Sequence, residues 1–386
     1  MSGIDIASNS ALLSVAEKLD TQNIFLSAIA GKDGGLPIKD WGTVQALVRA
    51  GLAPKVFSIG DQFTVAKGDT QLVFDVIGFD HDVPVDTQYT HSMTLQLHDC
   101  YTIFQFDAPE ALYYCAEELP AGTYYFTIHD YDAAYGGNSS YYFTLEKAVP
   151  AGGQLDLRWN FGTHVLSCKL NTYESSASVS PIETVSISEG TEGVFLGVAD
   201  GTYERMNHVE RTRCGSNNWF QSGIKQWLNT DSKGGLWWVS ASLYDRPLAG
   251  NETSGFLSDV DKDFISVLGK VNKRTLLNAV TDGGGYKDCE ELIFLLSRSE
   301  VYGGAENGIE EGEAYAYYKD FSELENPGTY VDTNRIKYFE GSPKNWWLRS
   351  PHPSVPRNPR YIEATGVVNN GYASNAYGVA PGCCVI

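Results

Sequence analysis

Positive charge is scarce in this sequence. Its 386 residues contain 28 Lys and Arg against 48 Asp and Glu, which gives a formal net charge of −20 at pH 7. Most of such a surface repels a phosphate backbone, so we expect no nucleic-acid partner. The acidity is typical of a protein that stays soluble at high local concentration.

Long apolar runs are also missing. No stretch reaches the roughly 18 to 20 apolar residues that cross a bilayer, so we expect no membrane insertion. The N-terminal residues MSGIDIASNSALLSVAEKLD lack a basic region followed by an apolar stretch. This pattern predicts that the protein has no signal peptide and is made in a cytoplasm.

The sequence has neither paired cysteines nor a familiar catalytic motif. Its seven cysteines are scattered without a CxxC pair, which argues against a disulfide framework or a zinc site. We interpret the neighbours Cys383 and Cys384 as two small core residues. HExxH, GxSxG, GxGxxG and the Walker A motif are all absent. We therefore predict no catalytic residue, no metal site and no cofactor.

Glycine and aromatic residues are abundant, with 39 Gly, 23 Tyr, 17 Phe and 8 Trp. This composition favours short strands, tight turns and aromatic packing. A chain of this length exceeds the size at which a single core stops growing, so we expect two or three domains. The predicted class is α+β, with strands in the majority.

Residues 1–54 are predicted to form a short helical N-terminus that serves attachment or oligomerisation. Apolar residues at helical spacing indicate helices at 10–29 and 41–50, and glycine follows each of them.

Strand patterns begin at residue 55. Apolar runs at 57–65 and 71–79 are separated by Lys67, Gly68 and Asp69, which predicts a hairpin. Turn residues between 101 and 202 recur at the spacing of a β-sandwich. Further strands are predicted at 91–97, 101–106, 121–128, 140–145 and 154–159.

Beyond residue 203 the pattern becomes partly helical. Apolar residues that share a helical face predict a helix at 218–229, and residues 261–277 and 288–296 are further helix candidates.

The segment from Trp346 to Ile386 carries the pattern that bears most directly on function. Short apolar strands, of which Trp346 to Leu348 is the first, alternate with turns rich in Tyr, Ser, Asn and Arg. Antibody loops have this composition, because Tyr gives contact area at low entropy cost and Ser or Asn gives adaptable hydrogen bonds. Ordinary polar turns have it too, and composition alone leaves both interpretations open. The predicted ligand-binding residues are His352, Ser354, Arg357, Asn358, Arg360, Tyr361, Glu363, Asn369, Asn370, Tyr372, Ser374, Asn375 and Tyr377.

Several blocks of the sequence resemble an uncharacterised domain family that is common in gut bacteria and their phages. They are NNWFQSGIKQWLN, ELIFLLSRSEV, WWLRSP and the terminal NAYGVAP, and they cover most of residues 203–386. The resemblance implies a C-type lectin-like fold, related to that of the formylglycine-generating enzymes.

The same resemblance implies a division of the chain into domains. Residues 74–100 resemble the opening of the family's domain, so 55–100 would supply its first strands and 203–386 the remainder, with a variable region at about 346–386. Residues 101–202 would then be an inserted β-sandwich. Two domains in series is the alternative.

The resemblance also implies a function. In phages that carry diversity-generating retroelements, such a domain ends in a region that is rewritten at adenines and binds the host receptor. An Asn codon of the AAY type reaches Tyr, Ser, His, Asp and Gly by these changes, which matches the Tyr/Ser/Asn set above. We therefore expect a receptor-binding protein on the virion surface at the tail tip. Its partner would be a protein or glycan receptor on a bacterial cell, and its expected assembly is a homo-oligomer, most simply a trimer.

Three departures from the family and its relatives limit this expectation. Ala380 stands where the family usually has Arg, and the EPN and WND triplets of calcium-dependent lectins are absent. The paired, separated cysteines of the formylglycine-generating enzymes are also absent. We therefore predict neither calcium-mediated sugar binding nor an enzyme. The alternatives are a structural virion decoration protein and, less favoured, a formylglycine-generating-like enzyme.

Overall fold

A computed structural model describes residues 40–111, 113–129, 138–160, 163–170, 181–200, 211, 214–318 and 333–386. The helix predicted at 10–29 lies outside these residues. None of the described helices is long and apolar enough to cross a membrane. The helices are α1 (Trp41–Arg49), α2 (Ala53–Val56), α3 (Gly223–Leu228), α4 (Lys262–Ser266) and α5 (Arg298–Tyr302), and Thr333–Arg335 forms a 3-10 turn.

Strands far outnumber helices in the described residues, so the chain is α+β and rich in strand, as predicted. The strands of the first half are β1 (Gln62–Lys67), β2 (Thr70–Phe79), β3 (Met93–Leu97), β4 (Thr102–Gln105), β5 (Tyr113–Tyr114), β6 (Gly122–His129), β7 (Asn138–Leu145), β8 (Gly153–Asn160), β9 (Thr163–Leu170), β10 (Pro181–Ser186), β11 (Ser188–Glu189) and β12 (Val194–Asp200). The strands of the second half are β13 (Leu268–Gly269), β14 (Val271–Leu276), β15 (Tyr286–Glu291), β16 (Ile293–Phe294), β17 (Lys337–Phe339), β18 (Ser342–Lys344), β19 (Trp346–Pro351), β20 (Pro359–Ile362), β21 (Val368–Asn370), β22 (Ala376–Val379) and β23 (Gly382–Val385).

The first sheet joins early strands to the last strand of the chain. Its order is β1-β2-β3-β23-β13, and β16 also pairs with β23. The predicted hairpin is present as β1 and β2, with Lys67 opposite Thr70 across the turn. Cys383 and Cys384 are buried free thiols in β23, as predicted for core residues. Helix α1 lies against the end of this sheet, where Gln45 donates to the carbonyl oxygen of Ile386 at 2.7 Å.

The second sheet carries most of the segment from Trp346 to Ile386, in the order β21-β20-β19-β22-β4. Its edge strand β4 was predicted to belong to the β-sandwich, and this assignment is corrected. Tyr377 of β22 pairs with Phe104 of β4. The Phe104 ring also stacks on Trp227 of α3 with ring centroids 4.7 Å apart. Aromatic packing against a helix far along the chain therefore decides where β4 lies.

Two four-stranded sheets lie between β4 and α3. One has the order β10-β9-β8-β5 and the other β11-β7-β6-β12. Their facing side chains form an apolar cluster of their own, which includes Phe126, Phe143 and Val185. A separate and larger cluster contains residues from both ends of the described chain, from Trp41 to Ile386. The described residues therefore have two main cores.

Two helix predictions were wrong. Residues 261–277 contain only the short helix α4, followed by β13 and β14, and residues 288–296 contain β15 and β16. β14 and β15 pair along their whole length, from Val271 opposite Glu291 to Leu276 opposite Tyr286. The helix predicted at 218–229 is shorter, because Ser222 caps its first turn and it ends at Leu228.

A substitution at Gly378 tests the close packing of the second sheet. A Cβ atom at this position would lie 2.4 Å from Sγ of Cys100 and 3.1 Å from the carbonyl oxygen of Asn345. We expect Gly378→Ala to reduce the free energy of unfolding by about 1–3 kcal/mol, because the backbone of β22 must move. Gly42→Ala in α1 is the control, since its added Cβ meets no atom closer than 3.4 Å. Urea denaturation measures both, and equal stabilities would contradict this account of Gly378.

Candidate functional site

The frame of the candidate site is the strand β19. Trp346, Trp347 and Leu348 have no exposed surface. Trp346 donates its indole N–H to the carbonyl oxygen of Arg335, and Trp347 donates to that of Phe104, both at 2.9 Å. Both indoles are therefore packed and satisfied, which fixes the strand on which the neighbouring side chains depend.

Two tyrosines from the predicted set pack on Trp347. The ring centroid of Trp347 lies 4.5 Å from that of Tyr377 and 6.1 Å from that of Tyr361, and the two tyrosine rings are 4.6 Å apart. Burial, together with the neighbouring Tyr377, raises the pKa of Tyr361 to about 12. A Cβ on Gly371 would approach both tyrosines at 3.0 to 3.1 Å, so a side chain in this turn would require the tyrosines to shift.

Amide side chains continue this tyrosine face. Asn375 donates from Nδ2 to the hydroxyl oxygen of Tyr377 at 3.0 Å, and Asn369 donates to Oε1 of Glu363 at 2.6 Å. Asn369 is paired with Tyr361 across β20 and β21, so both side chains lie on the same face of the sheet. Asn369, Asn375 and Glu363 are half-buried.

The other face of the same strands carries a different group. Arg360 is paired with Asn370, and alternation along β20 directs both away from Tyr361. Arg360 donates from Nε to both carboxylate oxygens of Glu306, at 2.9 and 3.1 Å. Asn358 donates to Oδ1 of Asn370 at 2.6 Å. The predicted residues are therefore divided between two faces and do not form one continuous patch.

The loop between β19 and β20 carries four of the predicted residues, which are His352, Ser354, Arg357 and Asn358. Asn217 holds this loop by directing Nδ2 at the carbonyl oxygens of His352, Val355 and Asn358, at 2.9 to 3.2 Å. Burial and the nearby Arg360 lower the pKa of His352. Ser354 is exposed at the tip of the loop.

Two members of the predicted set are buried in the chain. Arg357 is 4% exposed and Tyr361 is 7% exposed. The guanidinium of Arg357 lies over the ring of Tyr372, 5.3 Å from its centroid. Ser374 is half-buried, with its backbone N–H bonded to the carbonyl oxygen of Cys214. Arg357 and Tyr361 therefore support the surface, while the half-buried members form its accessible part.

Beneath this surface, β19 ends in a buried ionic cluster. Arg349 donates to Oε2 of Glu300 at 2.6 Å and to Oε1 at 3.0 Å, so the pair is bidentate. The same guanidinium donates to the carbonyl oxygens of Leu295, Arg274 and Glu311 at 2.9 to 3.1 Å. The hydroxyl of Ser350 donates to the Glu311 carboxylate.

Lys273 extends the cluster. Its ammonium contacts Asp82 at 2.5 Å, Tyr315 at 2.6 Å and Glu300 at 2.9 Å. Although burial acts in the opposite sense, Lys273 and His81 hold the pKa of Asp82 well below its ordinary value. Burial raises the pKa of Glu311 to about 7. The cations Arg349 and Lys273 thus face the ionised carboxylates of Asp82 and Glu300. With Glu311 as a third carboxyl group, which titrates near neutrality, the buried cluster is close to charge balance.

Sequence reasoning did not find this cluster as a unit. Arg349 belongs to the WWLRSP block, but nothing in the sequence indicated its ion pair. Asp82, Lys273 and Glu300 come from three separate regions of the chain. The Ser297 to Glu300 capping box of α5 was a readable local pattern. An open cleft of about 640 Å³ lies beside the cluster, lined by Asp80, His81, Asp288 and Glu310 among others. No group of three metal-binding side chains occurs in the described ranges.

Arg349 gives a test of the cluster. We expect Arg349→Met to reduce the free energy of unfolding by about 3–5 kcal/mol, because it leaves the buried Glu300 carboxylate without its main partner. Arg274→Met is the control, since Arg274 pairs with Asp288 at the surface, where an ion pair contributes about 0–1 kcal/mol. Guanidinium denaturation of both variants measures the difference. A loss below about 1 kcal/mol for Arg349→Met would contradict the role of this arginine.

Comparison with known proteins gives one family. Residues 194–386 match the domain of unknown function DUF6273. This range covers β12 and the described elements from α3 to β23, and therefore all thirteen predicted ligand-binding residues, while Asp82 of the ionic cluster and Phe104 of β4 lie outside it. No significant match was found among curated proteins or among solved structures.

Proposed function

The chain belongs to the DUF6273 family, and we propose that it is a ligand-binding protein of a phage or prophage that recognises a receptor on a bacterial cell surface. The binding surface is the set of half-buried Tyr, Asn, Ser and Glu residues on the face of β20, β21 and β22 that carries Tyr377 and Asn369, together with the turn before β22. The proposal includes diversification of these positions by a retroelement and a place at the tail tip as a homotrimer. Light scattering of the purified protein tests the trimer.

The observation that carries the proposal is the packing of Tyr377 and Tyr361 on Trp347. The tyrosine rings lie on a tryptophan that is itself fixed by a hydrogen bond to β4. Amide groups of Asn375 and Asn369 surround them and remain half-buried. A rigid aromatic centre with adaptable polar side chains around it is the arrangement of paratopes, which gain affinity from preorganisation.

A C-type lectin-like fold for the main body is part of the proposal. It is supported by the pairing of β3 with β23, which brings an early strand beside the last one in a single sheet. The second sheet, formed mainly by residues after Trp346, supports it further. In this interpretation the two sheets between β5 and β12 are an insertion, because β4 precedes them and α3 follows them within the main core.

Binding to cells tests the function. Fluorescently labelled protein is titrated against a panel of intact gut bacteria, and the variants Asn375→Ala and Tyr372→Ala are compared with the unchanged protein. We expect each variant to weaken binding to a responsive strain by about tenfold or more, as for a contact worth 1.4 kcal/mol.

Asn272→Ala is the matched control, because Asn272 is exposed on β14, outside the predicted set. It should leave binding unchanged. Equal binding by all three variants, with unaltered folding, would reject the surface and favour a structural decoration role.

The DNA beside the gene tests the retroelement. We expect a reverse transcriptase gene and a near-copy of the 3′ end of this gene that differs at adenines of the codons for residues such as Asn358, Asn369 and Asn375. A neighbourhood with neither feature would remove diversification from the proposal and leave the binding surface to the cell assay.

A further inference from the structure

Four carboxyl groups meet two arginines where the β-sandwich joins the rest of the chain. The chain enters the sandwich just after Ala111, and Arg211 follows the last sandwich strand, β12, in the sequence. The backbone N–H of Glu110 donates to the carbonyl oxygen of Arg211 at 3.0 Å, and that of Ala111 donates to Tyr244 at 2.6 Å. The two connections therefore lie side by side.

The guanidinium of Arg211 binds mainly the carboxylate of Asp282. Its Nη2 contacts both oxygens of Asp282, at 2.7 and 2.8 Å, and donates to the hydroxyl of Thr281 at 2.7 Å. Glu110 lies 3.9 Å from Nη1 of the same guanidinium. Both Glu110 and Arg211 are buried. Glu110 therefore competes for an arginine that Asp282 already holds closely.

Two more carboxyl groups complete the cluster. Asp107 accepts from the backbone N–H groups of Gly223 at 3.1 Å and Ser216 at 3.3 Å. Asp245 accepts from the backbone N–H groups of Ala241 at 2.6 Å and Ser242 at 2.9 Å.

The groups that act electrostatically on Glu110 come from three parts of the chain. The first is Arg211. The second is the loop that carries Asp245 and Arg246, and the third is Asp282 in the turn that follows β14. Counted with Asp107 and Glu110 itself, four carboxyl groups face two arginines. If all six groups were ionised, two negative charges would be left over in a buried site, which is costly unless a carboxyl group keeps its proton.

The protonation behaviour agrees with this count. Burial raises the pKa of Glu110 to about 7, although Arg211 and Arg246 act against the rise. Burial also raises the pKa of Asp107 well above its ordinary value, and that of Asp245 as well. Glu110 therefore changes charge near neutral pH.

We propose that this cluster is a proton-controlled latch, which holds the two connections of the β-sandwich against the rest of the chain while Glu110 is protonated and loosens when Glu110 ionises. The latch goes beyond receptor binding and does not depend on it. It borders the binding segment, because the backbone N–H of Asp107 donates to the carbonyl oxygen of Ala373 at 3.1 Å.

The direction of the pH effect follows from the raised pKa. Below pH 4.5, the ordinary value for Glu, the Glu110 carboxyl is protonated in both the closed and the open junction, so Glu110 adds no pH dependence to closure. Between pH 4.5 and about 7 only the closed junction keeps the proton, so closure weakens as pH rises. Above about 7 the stabilisation from this proton is gone.

Hydrogen exchange of the full-length protein tests the latch. After correction for intrinsic rates, amides in residues 106–111 and 214–223 should open about tenfold more often per pH unit between pH 5 and 7. Amides of β23 in the main core should show no such slope. In Glu110→Gln, the junction slope should decrease, because this side chain no longer titrates while Asp107 and Asp245 still do.

Glu118→Gln is the matched control, since Glu118 is exposed on the sandwich, and it should keep the slope. Asp245→Asn gives a second test that does not remove Glu110. Because Asp245 helps to raise the pKa of Glu110, its neutralisation should shift the transition to lower pH. The proposal is overturned by a junction that opens equally at pH 5 and 8, by a slope that is not reduced in Glu110→Gln, or by an unshifted transition in Asp245→Asn.

Discussion

Arg349 lies wholly inside the protein, with its guanidinium against the two carboxylate oxygens of Glu300. It also bonds backbone carbonyls of Leu295, Arg274 and Glu311, so one side chain joins β19 to β14, to the chain before α5 and to the chain after it. A guanidinium suits this role because its planar array of donors satisfies several acceptors at once. Removal of either partner would leave a buried charge, and so the pair makes the arrangement of these elements specific.

The position of the candidate binding surface depends on that arrangement. β19 is held by the Arg349 bond to Glu300, by the Trp346 bond to the 3-10 turn and by the Trp347 bond to β4. Tyr377 and Tyr361 then pack on Trp347, and the polar side chains follow on both faces of β20 and β21. A surface whose exchangeable side chains lie on a buried frame can change its contacts without loss of the core, since surface substitutions usually have small effects on stability. This separation is what a diversified receptor-binding protein requires.

Two ionic clusters have different physical characters. Around Arg349 and Lys273, cations and ionised carboxylates are nearly equal in number and at close distances. Around Arg211, carboxyl groups outnumber the arginines, and Glu110 is held at a longer distance. The first cluster acts as a structural centre, while the second has a charge imbalance that a proton relieves. That contrast is why the second cluster, at the junction of the sandwich, is the one proposed to respond to pH.

Much of the local structure could be predicted from the sequence. The β1 and β2 hairpin, helix α1, the strand at Trp346 and the burial of Cys383 and Cys384 follow from apolar spacing and turn residues, which act over a few positions. The thirteen predicted site residues do lie near one another, but alternation in β20 and β21 divides them between two faces, and this depends on strand register.

Tertiary contacts decided the rest. Residues 271–276 were predicted as part of a helix, yet they form β14, in which Lys273 is buried with Val271 and Thr275. Its burial is possible only because Asp82, Glu300 and Tyr315 supply partners from distant parts of the chain. β4 likewise lies in the second sheet because its Phe104 stacks on Trp227 and pairs with Tyr377 of β22. The sequence by itself determined the segments whose apolar pattern is local, and the tertiary structure decided those whose charged or edge residues are stabilised by partners remote in the chain.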